Sequence, residues 1–574
     1  MNKRLYRRNI KEKKEIGALH KKKRERFSVA LVYPNLYHVG MSNLGFQIVY
    51  DLLNKRNDVV AERFFLPYEE EPLRSIESQS CLSSFDLIAF SVSFENDYTN
   101  ILKILELGEV PLLAEQRQRI YPLVIAGGVA VFLNPEPLSL FFDLFLLGEA
   151  EQNLDSVIEL LIDSYERFSS KNDLLLFIAK NEPSVYVPSF YKTEYNKDGT
   201  ISSFYPIQKG IKEKVLIAKK FPLENVAYSK IISSETEFSN RVVIEMARGC
   251  GRSCRFCAAG YIYRPPRYHD FEALIEAIQK ALNKKGYVGL LSASIADVPS
   301  IDKILSFICE KGCKFSISSI RADAVSPQFL DYMKKAGQKQ VTIAPEAGSE
   351  RLRKVINKHL DEDKIINAVQ LIAKKELSLK LYFILGLPTE EWEDVEEILR
   401  LIKLIKHCAV KEGAAKGRII GIRVNISCFV PKPFTPFQWV HMEEVDELKK
   451  KQKWLSKMVG KEGGIRISFD VPKWAYVQTL LSLGDRRVAH MLLLAHKFNG
   501  NWKKALKYSE FNPDFFVYRQ KEASEILPWD FIESGINKEY LYKEYKKALS
   551  SEESAICTLH PGCKKCGVRS FLSL

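Results

Sequence analysis

Residues 248–265 read RGCGRSCRFCAAGYIYRP and hold Cys250, Cys254 and Cys257 at the spacing C-x3-C-x2-C. Thiolates this crowded on a glycine-rich turn are metal ligands or redox centres. Structural zinc asks for four ligands in a closed tetrahedron. The next candidate, His269, lies twelve residues past Cys257 and beyond Pro265 and Pro266. A redox C-x2-C pair would leave Cys250 idle. A cubane iron–sulfur cluster fits better, because three thiolates hold three irons and leave the fourth open to a substrate or cofactor. Near the other end, Cys557, Cys563 and Cys566 form C-x5-C-x2-C, with His560 available as a fourth ligand. Three readings of that set stay open: a second iron–sulfur cluster, a small zinc knuckle, or loose thiols.

The elements that must position these residues follow from the apolar pattern. FSVALVY (27–33), VVAERFF (59–65), DLIAFSVS (86–93), PLVIAGG (122–128) and DLFLLGE (143–149) are short, nearly continuous apolar runs with helical stretches between several of them. That alternation predicts a Rossmann-like parallel sheet over 27–180. Residues 181–240 are irregular and read as a linker with hairpin character around NKDGT. From 242 the alternation resumes with VVIE, VGLLSAS, FSISSIRAD, VTIAPEAG, LKLYFILG and IRVNISCFV, which predicts a partial (β/α)6 barrel of the TIM type over 241–440. Residues 441–574 read as mainly helical. The fold class is therefore α/β with a helical C-terminal region.

Composition narrows the function classes. Hydrophobic residues make up 46% and charged residues 27%, the balance of a soluble globular chain. With no apolar run of membrane-spanning length and no signal peptide, a cytoplasmic location is expected and a membrane partner is not. Clustered thiols in such a chain are ligands, not a disulfide framework. The net charge of +14 is concentrated in residues 1–26, which carry twelve Lys or Arg against three Glu. Such an arm, read here as flexible, suits a polyanion such as RNA.

The triplet, with Phe256 before its last cysteine and placed after the first barrel strand, resembles the radical S-adenosylmethionine (SAM) superfamily. That resemblance implies a [4Fe-4S] cluster on Cys250, Cys254 and Cys257 that binds SAM and cleaves it reductively to a 5′-deoxyadenosyl radical. It also implies a reductant such as flavodoxin or ferredoxin. SASIAD (292–297), with Ser292 and Ser294, falls where the superfamily contacts the methionyl amine, although it lacks the common Gly-Gly-Glu. Ser319 and Arg321 of SIRAD suit a carboxylate or ribose. APEAGSERLRKVINK (344–358) resembles methylthiotransferases, with Glu346 and Ser349 as expected ribose partners. ILGLPTE (384–390) resembles the fifth-strand glycine motif, placing Gly386 beside the adenine.

The flanking regions resemble a poorly characterised bacterial family with a cobalamin-binding-type N-terminal domain, through PNLYHVGMSNLG, AGGVAVFLNPEP, LGDRR and LPWDF. The cobalt-binding D-x-H-x-x-G signature is not kept: Leu36 and Met41 stand around His38 where Asp and Gly belong. Cobalamin is therefore the less favoured expectation, and its binding stays open. In the tail, Arg569 stands where that family tends to carry a further cysteine. FVPKPFTPFQW (429–439) is expected to pack Trp439 as a lid. The leading expectation is a radical SAM enzyme acting on RNA by a methylthiolation- or methylation-like reaction. Two alternatives stay open: a radical SAM enzyme for a small molecule or lipid, and a non-enzymatic iron–sulfur module that binds RNA or protein.

Overall fold

The computed structural model describes residues 15–23, 25–69, 71–414, 417, 419–557 and 563–568. The N-terminal sheet comprises β1 (Phe27–Tyr33), β2 (Val59–Phe65), β3 (Leu87–Ser91), β4 (Leu123–Gly127), β5 (Leu144–Leu146) and β6 (Val185–Tyr186), in the order β2-β1-β3-β4-β5-β6. The first five pair in parallel and β6 closes the edge antiparallel. Every residue of β1 and β2 is buried, as strands covered by helices on both faces must be.

One buried group corrects the expectation of a flexible arm over 1–26. Arg63 lies inside β2, where an unpaired guanidinium would be costly. Glu77 binds it at 2.6 Å and Glu15 at 2.7 Å. Holding Glu15 there turns Glu15–Ile16 into a short strand against Ile232–Ser233, and Lys21 donates to the carbonyl of Arg56 at 2.7 Å. Residues 15–23 are therefore part of the fold; Arg24 and residues 1–14 lie outside the described residues. The expected linker is tied in too: Tyr191–Tyr195 and Ile201–Pro206 form the hairpin, and Val215–Leu216 pairs with Ile532–Glu533.

The barrel strands are β7 (Val242–Glu245), β8 (Tyr287–Leu291), β9 (Lys314–Ile317), β10 (Gln340–Glu346), β11 (Ser378–Leu385), β12 (Ile422–Cys428) and β13 (Ile465–Phe469). They form two parallel sheets, β7-β8-β9 and β10-β11-β12-β13. This is one strand more than the six expected. β13 lies inside the region read as helical because its alternate residues Arg466 and Ser468 are polar and exposed, so it carries no continuous apolar run. Helices Phe271–Lys284, Ile301–Glu310, Pro327–Lys335, Glu362–Lys374 and Trp392–Ala414 cover the barrel, and Val445–Gly460, Pro472–Leu483, Val488–Lys497 and Lys538–Leu549 make up most of the rest. Trp439 is fully buried, with its ring edge-on to Tyr542. Among the described residues, no helix is long and apolar enough to cross a membrane.

Candidate functional site

The cysteine loop leaves β7 and is held by three arginines, two of them buried. Arg255, fully buried, donates to the carbonyls of Lys354 (3.1 Å), Val355 (2.9 Å) and Glu552 (2.7 Å), and faces the Glu544 carboxylate at 3.3 Å. Arg264 donates to Ser253 Oγ at 2.5 Å and to the Tyr540 hydroxyl at 3.1 Å. Arg252 spans the barrel mouth, bonding Asp297 at 2.8 Å through Nε, with Asp323 at 3.8 Å. Gly249 sits at φ +81°, where an added Cβ would lie 2.5 Å from the carbonyl oxygen of Tyr263, so the turn into the loop needs glycine.

The thiols occupy the C-terminal end of the strands, where barrels of this kind carry their chemistry. Burial, with Cys254 and Cys250 nearby, pushes the Cys257 thiol up to about 11, and burial also raises Cys250. The Arg252 amide points at Cys250 Sγ at 3.5 Å, the kind of N–H···S contact that tunes a cluster. Among the described residues no three Cys, His, Asp or Glu side chains converge on a single metal-ion position. A cubane does not ask for that, because each thiolate takes a different iron. Three thiols on one loop ringed by arginines fit a negatively charged cluster, which metal binding would supply with deprotonated ligands.

The other expected residues fall around this loop unequally. Ser292 and Ser294 follow β8, and the Ser294 amide donates to Ser292 Oγ at 3.3 Å. Ser319 is exposed at the end of β9. Arg321 bonds Asp323 at 2.9 and 3.0 Å and the carbonyl of Lys358 at 2.9 Å. Glu346 ends β10 at φ +68° and pairs with Lys358 at 2.9 Å. Gly386 is buried, its amide bonding Glu390 at 3.0 Å. Phe256 packs against the small core of Leu352, Val355, Leu387, Phe429 and Phe437. Ser349 is a correction. Its hydroxyl caps helix Glu350–Val355 through the Leu352 amide at 3.1 Å and donates to Asp394, so it is not free for a ribose.

Lys358 was not singled out in the sequence. It is buried, and the Glu346 carboxylate together with nearby Cys254 outweighs burial to hold its ammonium charged. Only its place in the resembling segment 344–358 could have flagged it. Arg252 and Arg255 were legible only as arginines interleaved with the cysteines.

Of the second cysteine set, Cys557 meets the first loop. The Cys557 amide donates to the carbonyl of Gly251 at 2.8 Å, and an added Cβ on Gly251 would lie 2.7 Å from the Cys557 carbonyl oxygen. Cys566 is half-buried, its carbonyl accepting from the Asn537 amide at 3.0 Å, and Cys563 is exposed. His560 and Arg569 lie outside the described residues. Burial, with Arg267 nearby, lowers Lys219 to about 7, and its ammonium donates to the carbonyls of Arg264 at 3.1 Å and Ser534 at 2.7 Å.

The residues that bear on the cobalamin expectation are His38 and the loops that follow β3 and β4. His38 lacks the signature's Asp and Gly, and the segments beyond β3 and β4 contact the chain's second half. Glu95 pairs with Lys432 and accepts from Gln478 at 3.0 Å, and Asn134 donates to the carbonyls of Ser482 (3.0 Å) and Gly484 (2.7 Å).

Residues 45–188 match the family described as radical SAM proteins, N-terminal, and residues 244–402 match the radical SAM superfamily. The protein MJ0966 of Methanocaldococcus jannaschii is 31% identical over 469 residues, covering 81% of this chain and 90% of that protein. The ribosomal protein uS12 methylthiotransferase RimO of Hydrogenobaculum is 26% identical over 211 residues, 34% of this chain and 52% of RimO. Among solved structures, the radical SAM methyltransferase TsrM from Kitasatospora setae, with cobalamin and a [4Fe-4S] cluster bound, aligns with a TM-score of 0.48 at 12% identity over 73% of this chain and 76% of TsrM. The chain belongs to the radical SAM superfamily and is a radical SAM enzyme.

Proposed function

We propose that this enzyme modifies RNA by a methylthiolation- or methylation-like reaction. The observation that carries the reading is the contact between the two cysteine sets, the Cys557 amide on the Gly251 carbonyl. When bound, the cluster on Cys250, Cys254 and Cys257 supplies the one-electron reduction that breaks the sulfonium of SAM. The chain's own part is to hold that loop through Arg252, Arg255 and Arg264, and to bring Glu346 and Lys358 to its edge. A second cluster on Cys557, Cys563 and Cys566, docked beside the first, is suited to supply sulfur or relay electrons. The partial likeness to RimO and the cationic residues at 1–26 support the methylthio and RNA parts of the reading. The low-potential electron would come from a flavodoxin or ferredoxin in the cytoplasm.

The test is anaerobic reconstitution of the wild type beside a Cys250/Cys254/Cys257→Ala variant. Iron and sulfide are counted, 5′-deoxyadenosine is assayed, and RNA from a strain lacking the protein is offered and analysed by mass spectrometry. Two clusters' worth of iron in the wild type, one in the variant, and a methyl or methylthio increment on RNA from the wild type alone are expected. Iron for a single cluster in the wild type rejects the second cluster. Nucleoside formation with no change in any RNA rejects the substrate.

A further inference from the structure

The inside of the barrel carries charge where such barrels are usually packed with branched apolar side chains. In β11, Leu379, Leu381, Phe383 and Leu385 are fully buried, while Lys380, Tyr382 and Ile384 on the other face are only half-buried. The same alternation places Arg423, Asn425 and Ser427 of β12, and Arg466 and Ser468 of β13, on that inner face. Strand register makes Lys380, Arg423 and Arg466 direct neighbours in one row across three strands. Arg423 and Arg466 are exposed, and β13 is the open edge of its sheet. The opposite barrel edge is closed, since the Ser229 amide bonds Val243 and the Glu245 amide bonds Ala227.

Like charges directly opposite one another destabilise a sheet. Elsewhere this chain offsets its cations with nearby acids, as where Arg400 meets Glu362 and Glu397 or Lys375 meets Asp331. None of the three cations in the row has an ion-pair partner among the described residues; Lys380 lies over the Tyr382 ring at 4.7 Å. The nearest carboxylate on the inner face of β10, Glu346, is already paired with Lys358. Across the lumen, Arg241 donates to Ser316 Oγ at 3.1 Å and stacks over Tyr287 at 4.5 Å, adding a fourth cation. An arrangement that costs stability and is left unpaired marks a place where a ligand completes it.

We propose that Lys380, Arg423 and Arg466 bind a phosphate group of the substrate within the barrel. The inference rests on the reading of this barrel as the place where the substrate is modified. The row spans on the order of 10 Å across three strands, and it lies about 13 Å, four residues of strand, below the layer of Ile384 and Ser427 near the cysteine loop. The substrate therefore presents its phosphate at the row and its reacting carbon at the strand ends. Arg423 and Arg466 offer forked donors to phosphate oxygens, and Lys380 a point charge.

Binding is measured on the reconstituted wild type, a Lys380/Arg423/Arg466→Ala variant and a control variant, Lys449/Lys450/Lys453→Ala, on the outer face of helix Val445–Gly460. The probes are a labelled single-stranded RNA oligomer and, separately, inorganic tripolyphosphate. Iron content and far-UV circular dichroism check folding, and a Lys380→Arg/Arg423→Lys/Arg466→Lys variant retains the charge. The expected result is at least tenfold weaker RNA binding for the inner variant alone, with the salt slope reduced by about 0.7 for the one phosphate neutralised and binding largely kept by the charge-conserving variant. Tripolyphosphate binding that depends on the row, with no RNA binding by the wild type, supports the phosphate site with a small phosphorylated substrate and rejects RNA. Equal binding by the wild type and the inner variant, or no binding of either probe to the wild type, overturns the proposal.

Discussion

Replacing Arg255 by alanine tests whether the cysteine loop is held mainly by one buried guanidinium. Its three bonds to carbonyls are each worth about 1 kcal/mol net. Their loss also leaves the Glu544 carboxylate, 2% exposed, with only the Ser554 hydroxyl at 2.9 Å and Lys547 at 3.6 Å. Breaking a buried pair by removing one partner costs about 3–5 kcal/mol, and Lys547 pulls this case toward the lower end. Local opening should rise by a factor of about 100, since each 1.4 kcal/mol is tenfold. Amide hydrogen exchange at Arg255, Cys257 and Cys557 reads this directly, without treating a multidomain chain as two-state. An Arg255→Met/Glu544→Gln pair removes the stranded charge and should recover part of the loss. Less than tenfold acceleration, or no recovery in the pair, would refute the reasoning.

Gly251→Ala is expected to expose the Cys557 amide to exchange while leaving iron bound to the first loop; unchanged protection there would show that the tail does not depend on that close approach. Burial pushes Glu390 up to about 7, so the folded chain binds a proton that the unfolded chain releases above about 4.5. Stability contributed by this group is full below about pH 4.5 and is lost as pH rises to about 7, and Glu390→Gln should flatten that slope in thermal unfolding by up to one proton. Lys521 is buried with Nζ unbonded among the described residues, and burial lowers it to about 7. The unfolded chain holds that proton up to about 10.5, so stability rises from about pH 7 to 10.5, and Lys521→Met should raise Tm at pH 6 more than at pH 9.

Much of this architecture is written locally. Five apolar runs from 27 to 149 became parallel strands because continuous burial leaves a continuous apolar signature, and FEALIEAIQKALNK is helical over its whole length, Phe271–Lys284. β13 was not legible, since a half-exposed edge strand alternates Arg466 and Ser468 with apolar residues between two helices. Ser349 misled because the serine that opens a helix and the serine that binds a ribose look alike in sequence; only the Leu352 amide and Asp394 tell them apart. The meeting of Gly251 with Cys557, the carboxylates gathered by Arg63, and the row of Lys380, Arg423 and Arg466 depend on register and distant contacts, which no local window contains.

The tail's grip on the cysteine loop also sets an order of events during synthesis. About 300 residues separate Gly251 from Cys557, so at 5–20 residues per second the loop leaves the ribosome roughly 15–60 s before its cover is made. During that interval the thiols can be reached by whatever delivers iron and sulfide, and afterwards the backbone at Cys557 is bonded to their loop at Gly251. A chain ending before residue 540 should therefore take up iron faster than the full chain when both are offered the same cluster donor after folding. Equal rates would mean that the tail opens as readily as it closes.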